Sequence, residues 1–283
     1  GLAAAFNAPM AGVIFSFVEI YKYFSPLILL SSMSAAVVSD FISKQVFGLE
    51  PVFDFHVLRS VPLANYWIII LLGIFIGITG AGYNFFLLYT KKMYAKLKKI
   101  DIRIRMLIPF LCAGVVGLVF PLAMGGGHVI LEKLTLTTGI GLLVLIFVVK
   151  IVFSMISFCS GVPGGIFFPL LVLGATLGAI FGAVSVQFGF LSQDLFYNMI
   201  ILAMAGYFAA IVRAPITGIV LIMEMTGSFT HMLSLTIVSI VAYITADMMK
   251  CPPIYDALLE DLVKDETPQK KEFTGTKTMV EII

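Results

Sequence analysis

The stretch Ser160 to Pro169, SGVPGGIFFP, places three glycines and two prolines between two long apolar runs, 136–159 and 166–189. A simple spanning helix does not interrupt itself at that depth, because lipid offers no partner to freed backbone amides and carbonyls. Interrupted helices persist in membranes where they line a polar cavity. A helix that begins there turns its free N–H groups and positive dipole end into the cavity. Gly164 and Gly165 leave room for a ligand to approach the backbone, and Pro169 suits the first turn of the helix that follows. The segment reads as half of an intramembrane anion site built from peptide N–H groups. The glycines alone would equally serve a hinge or a tight crossing of two helices.

The rest of the chain agrees with a membrane setting. Hydrophobic residues make up 60% of its 283 positions and charged residues 12%, where a soluble domain carries about 25% charge. Mean hydropathy is +1.07. The fold class expected is all-α, a polytopic membrane protein with discontinuous helices, whose surroundings are the lipid bilayer. A net charge of +2 gives no grip on nucleic acid. Cys112, Cys159 and Cys251 are far apart and form neither a disulfide framework nor a metal-ligand spacing. His56, His128 and His231 fall in three separate segments and read as lone loop or helix-end histidines. No metal and no cofactor is expected. The chain opens on Gly1 inside an apolar segment with no basic leader, so it is expected to be the remainder of a longer protein.

Apolar stretches lie near 3–20, 26–47, 66–90, 106–124, 136–159, 166–189, 195–212, 216–227 and 232–249. Several reach the roughly 20 residues that a hydrocarbon core requires; 3–20 is cut by Pro9 and 216–227 is short. Unequal, Pro- and Gly-interrupted segments are the mark of discontinuous transporter helices. Lys91, Lys92, Lys96, Lys98, Lys99, Arg103 and Arg105 cluster in one linker, which is expected to be cytoplasmic. The sparsely charged 48–64 is then expected outside, and the polar tail from Lys250 inside. Residues 252–264 (PPIYDALLEDLVK) read as a short amphipathic helix begun by proline.

AAAFNAPMAGVIF (3–15) and AAIVRAPITGIVL (209–221) share two leading alanines, the Ala-Pro pair and a glycine, at a constant offset of 206 (position 215 less position 9). An acidic residue ends each apolar run, Glu19 and Glu224, although the two miss alignment by one position. A duplication would make this chain the end of a first repeat and all of a second, as in transporters with inverted-topology repeats. The expected division is 1–48 for the end of the first repeat, 49–64 for an extracellular linker, 65–249 for the second repeat and 250–283 for a cytoplasmic helix and tail.

The G-x-F-x-P pattern (Gly165, Phe167, Pro169), AAAFNAP-x-AG, the run RAP-x-TG-x-x-x-x-x-EMT (213–226) and the GGG at 125–127 resemble the CLC family of chloride channels and proton-coupled chloride transporters, from Gly1 to about Leu262. The resemblance implies a homodimer in which each subunit carries its own anion pathway, in the plasma (inner) membrane. By the same resemblance, the amides of Ile166 and Phe167, beside Gly165, bind the central anion, and the hydroxyl of Tyr255 completes that site. Glu19 falls where the coupled transporters carry a cytoplasm-side proton glutamate. The family's gating glutamate and pore serine have no counterpart in these residues; both belong to the first repeat.

Individual side chains leave open alternatives. Glu19 is either an intramembrane proton carrier or an interfacial carboxylate paired with Lys22, one turn away. Tyr255 is either the amphipathic anchor of a juxtamembrane helix or a donor that holds an anion without placing a full charge in the path. Lys150, inside LLVLIFVVKIVFSM, either raises the potential along the path or is structural; Glu224 reads as a structural acceptor. The function expected is secondary active transport, chloride exchanged for protons. The alternatives are a passive chloride channel of the same fold and an inactive fragment lacking half its pore. An intramembrane hydrolase would need a nucleophile–base pair or an H-E-x-x-H motif, and the sequence carries neither.

Overall fold

The computed structural model describes residues 1–48, 60–96, 102–161 and 164–260. Helices follow in the order α1 (Leu2–Phe6), α2 (Pro9–Phe15), α3 (Pro26–Phe47), α4 (Tyr66–Lys96), α5 (Ile102–Val119), α6 (His128–Glu132), α7 (Ile140–Cys159), α8 (Phe167–Gln187), α9 (Phe196–Val212), α10 (Pro215–Thr226) and α11 (Met232–Met248). A last helix, α12, covers 254–260. Among the described residues there is no strand, and the all-α expectation holds. Five helices, α3, α4, α7, α8 and α9, are long and apolar enough to cross a membrane.

The stretch 3–20 is two helices, because Pro9 starts a new one after Asn7 turns left-handed. The basic linker is shorter than its charges suggested: Lys91, Lys92 and Lys96 ride on the last turns of α4 and Arg105 on α5. At 31 residues, α4 is about 46 Å long, well beyond a hydrocarbon core of about 30 Å, so its lysine-rich end stands clear of an apolar layer. Lys98, Lys99, His56 and most of the linker 48–64 lie outside the described residues, as does the tail beyond 260.

The core is organised around α9. Every one of its residues except Tyr197 is buried, an apolar helix wrapped by α8, α4, α10 and α11. Lipid tails are as apolar as leucine, so close packing rather than water exclusion must hold such helices together. The α8 face supplies it with Gly174, Gly178 and Gly182, one per turn. A Cβ at Gly178 would lie 2.5 Å from the Met199 carbonyl oxygen and 2.7 Å from the Ala203 Cβ, so any side chain there would push the two helices apart.

The repeat seen in the sequence is present in the backbone. α1 ends at Asn7 (φ 53°), Ala8 is non-helical (φ −133°, ψ 72°) and Pro9 opens α2. α9 ends at Arg213 (φ 69°), Ala214 is non-helical (φ −116°, ψ 73°) and Pro215 opens α10. α2 and α10 pack against each other antiparallel: the end of α10 reaches the start of α2, where Glu224 accepts hydrogen bonds from the Met10 and Ala11 N–H groups at 3.0 and 2.8 Å. The one-residue misalignment of the two glutamates also has a structural cause. α2 runs on into a π turn over Ser16–Tyr21, the form in which a helix absorbs one extra residue.

Candidate functional site

Ser160 caps the end of α7, and Gly161 then turns the chain in the left-handed region (φ 89°), where a side chain would be strained. Ile166 is the N-cap of α8 and Pro169 its third residue. Ile166 already accepts the Leu170 N–H at 3.0 Å, while the first amides of α8 have no carbonyl to bond within the helix. Gly164 and Gly165 are exposed, and nothing lies within 4 Å of a Cβ built at Gly165. The α8 N-terminus faces a cavity of about 290 Å³ lined by Gly164, Gly165, Ile166 and Pro169, with Lys150, Ser154 and Ser157 of α7 on its wall. Residues 162 and 163 of the motif lie outside the described residues.

Phe167 joins this N-terminus to the rest of the site. Its ring lies 4.9 Å from Phe6, 5.1 Å from Phe208 and 6.0 Å, edge-on, from Phe15. Phe15 in turn meets Tyr255 edge-on at 5.9 Å. The structure thus brings Ile166, Phe167 and Tyr255, distant in sequence, around one aromatic cluster. Burial, and after it the neighbouring Glu19 carboxylate, push the Tyr255 phenol up to about 12. Tyr255 is therefore a neutral donor across the ordinary pH range.

Tyr255 is placed by residues that the sequence reading did not single out. The Arg213 guanidinium donates to the carbonyl oxygens of Tyr243 (2.6 Å) and Cys251 (3.0 Å) and lies over the Tyr243 ring at 5.4 Å. The Asn84 side-chain amide donates to Ile211 and Pro252 carbonyls at 3.0 and 3.2 Å. Together they clamp the end of α9 to residues 251–252, three positions ahead of Tyr255. The signal available in sequence was Arg213 in the RAP motif, a cation at the end of an apolar helix.

Glu19 sits in the π turn and lines a second cavity, about 410 Å³, with Phe17, Lys22, Arg213 and Asp256. Lys22 forms its ion pair with Asp256 of α12, not with Glu19. The alternative of a Glu19–Lys22 pair one turn away is not realised; Lys22 is itself the left-handed residue that ends the turn (φ 56°). Near the basic end of α4, Lys92 and Lys250 line a further cavity together with Cys251 and Pro252. Lys150, only 1% exposed, donates to the Ala123 and Gly125 carbonyls at 3.1 and 2.6 Å and ties α7 to the GGG loop. Glu224, as expected, is a backbone acceptor.

Known proteins share this fold. The family model described as voltage gated chloride channel matches residues 1–247. The chain is 34% identical over 278 residues to an H(+)/Cl(-) exchange transporter of Klebsiella pneumoniae, covering 95% of this chain and 58% of that protein. A Salmonella typhimurium protein of the same description is 35% identical over 281 residues, covering 96% and 59%. The chain therefore spans somewhat more than half the length of these relatives. Among solved structures, a slow cyanobacterial Cl−/H+ antiporter superposes with a TM-score of 0.84 at 29% identity, over 94% of this chain and 63% of that one. A CLC-type fluoride/proton antiporter shares the fold, with a TM-score of 0.70 at 21% identity over 89% and 61%. With its interrupted helices, its duplicated break and this match along most of its length, the chain belongs to the voltage gated chloride channel family.

Proposed function

We propose that the protein exchanges a small anion, chloride or one of similar size, for protons across a membrane. The observation that carries this reading is the position of Glu19. Its carboxyl lines a cavity beside the helix that bears Tyr255, and Tyr255 is joined through Phe15 to the α8 N-terminus. The relatives described as exchangers support the same reading.

In this mechanism the N–H groups of Ile166 and Phe167 hold the anion, Gly165 leaves space for it, and the Tyr255 hydroxyl donates from the far side. Dipoles and a neutral phenol bind without a full countercharge, so the anion is held weakly enough to leave. Glu19 takes up and releases protons through its own cavity. The basic end of α4 and Lys250 lie near the loop leading into α12, which supports a cytoplasmic placement for Glu19 and Tyr255. The protein is a multi-pass component of the plasma or inner membrane. It works as a homodimer, for which the broad bare apolar face of α3 offers surface. The division into 1–48, 49–64, 65–249 and 250–283 belongs to the same proposal.

The test is chloride-driven proton movement in liposomes carrying the intact protein and its Glu19→Gln variant. Proton movement in the parent, with anion flux but no protons in the variant, is the expected result. Anion flux without protons in both proteins would make it a passive channel. Proton movement that survives Glu19→Gln would remove Glu19 from the relay.

A further inference from the structure

The two repeats end their equivalent helices differently. Each begins with a left-handed residue, a non-helical alanine and a proline. Each closes on a left-handed residue three positions beyond its glutamate, Lys22 after Glu19 and Gly227 after Glu224. Between those fixed points α10 has twelve residues of regular helix. α2 has seven residues of helix and six of π turn, one residue more. Glu224 spends both carboxylate oxygens on the Met10 and Ala11 N–H groups. Because α2 and α10 are antiparallel, an α2 without the extra residue would deliver Glu19 to Ile216 and Thr217, which stand 206 positions after Met10 and Ala11.

From this we infer that the π turn at Ser16–Tyr21 is a positioning device. The inserted residue withdraws Glu19 from the helix-capping role that Glu224 performs and presents its carboxyl to the cavity instead. This deepens the proton-relay reading of Glu19 and rests on it. The charged groups facing Glu19 fit a carboxyl left free to exchange protons. On its own segment Lys22 is held by Asp256 of α12. Arg213, at the α9–α10 junction, is held by the Tyr243 and Cys251 carbonyls. Each cation that lines the cavity donates its hydrogen bonds to another acceptor, and none of the hydrogen bonds among the described residues ends on the Glu19 carboxyl. The two amide bonds that Glu224 accepts favour its charged form over the neutral acid, and Glu19 has no such bonds to give up.

The experiment removes the extra residue and, separately, adds one to the other repeat, each in the intact protein. Deletion of Val18 should restore regular helix, keep anion flux in liposomes and abolish chloride-driven proton movement. In that background Glu19→Gln should lower the melting temperature, because the carboxylate has become a cap, whereas in the parent it should not. Conversely, an alanine inserted after Ile222 should free Glu224, so that Glu224→Gln lowers the melting temperature of the parent but not of the insertion variant. Proton coupling that survives the Val18 deletion with an unchanged pH profile would overturn the inference. If the deletion variant does not fold, the α10 insertion decides: a Glu224→Gln effect that persists there also overturns it. Coupling that survives Glu19→Gln in the parent would refute the proton role alone, while the melting comparison still reports whether the extra residue displaces the carboxyl.

Discussion

Arg213 allows backbone strain and side-chain bonding to be separated at one position. Its side chain is 8% exposed and donates two hydrogen bonds to carbonyls, and charge-assisted bonds of this kind contribute about 1.5–3 kcal/mol each. Water can reach the Cys251 end, which is only half-buried. Arg213→Ala should therefore cost about 3–4 kcal/mol rather than the full sum. Its backbone is left-handed (φ 69°), a conformation that costs alanine about 1 kcal/mol and glycine almost nothing. Arg213→Gly should thus be more stable than Arg213→Ala by about 1 kcal/mol, the reverse of the usual order. Both variants release the segment leading to Tyr255 and should weaken anion binding about fivefold, the equivalent of one lost hydrogen bond of about 1 kcal/mol. Thermal unfolding of the purified protein in detergent and calorimetric titration with chloride measure the two effects. A glycine variant that melts at or below the alanine variant, or unchanged anion affinity in both, would refute the reasoning.

Other perturbations follow from the same geometry. Gly178→Val sets a Cβ 2.5 Å from the Met199 carbonyl, an overpacking that costs upwards of about 3 kcal/mol; size-exclusion of the detergent extract should show loss of the folded species. Lys150→Met strips the Ala123 and Gly125 carbonyls of their donor and should lower the melting point, with each carbonyl left unbonded costing about 1–3 kcal/mol. Tyr255→Phe should weaken anion binding about fivefold, and equally at about pH 6 and about pH 9. A phenol raised from 10 to about 12 by burial keeps its proton, and its contribution, throughout that interval. That contribution is lost only as pH rises through the raised value, so an affinity that falls between pH 6 and pH 9 in the parent alone would contradict the assignment.

Much of the architecture was legible because membranes restrict the choices. Glycines and prolines in SGVPGGIFFP and in the two Ala-Pro segments had to mark breaks, since lipid forbids casual ones, and the backbone breaks there. What could not be read were partners that folding alone brings together. Lys22 and Asp256 are 234 positions apart, and the nearer candidate, Glu19, is not the partner the fold supplies. Lys150 and Arg213 bond to main-chain carbonyls, which every residue possesses and no sequence pattern distinguishes. The mismatch of Glu19 and Glu224 was visible as an alignment flaw, but only the π turn gives it a cause.

The burial of α9 on all sides fixes the compliance of the molecule. Its neighbours α8 and α10 both pack on this one stiff post, so the α8 amides proposed to meet an anion are preset and would spend little entropy on receiving it. Deformation is left to the elements on the softer side, α2 with its π turn and the short α12, which docks on the core through Ile254, Tyr255 and Leu258 and carries an exposed ion pair at Asp256. Amide hydrogen exchange should accordingly be slowest along α8 and α9 and fastest in α12, and the rate of turnover should track the movement of α12 rather than the grip of the anion site.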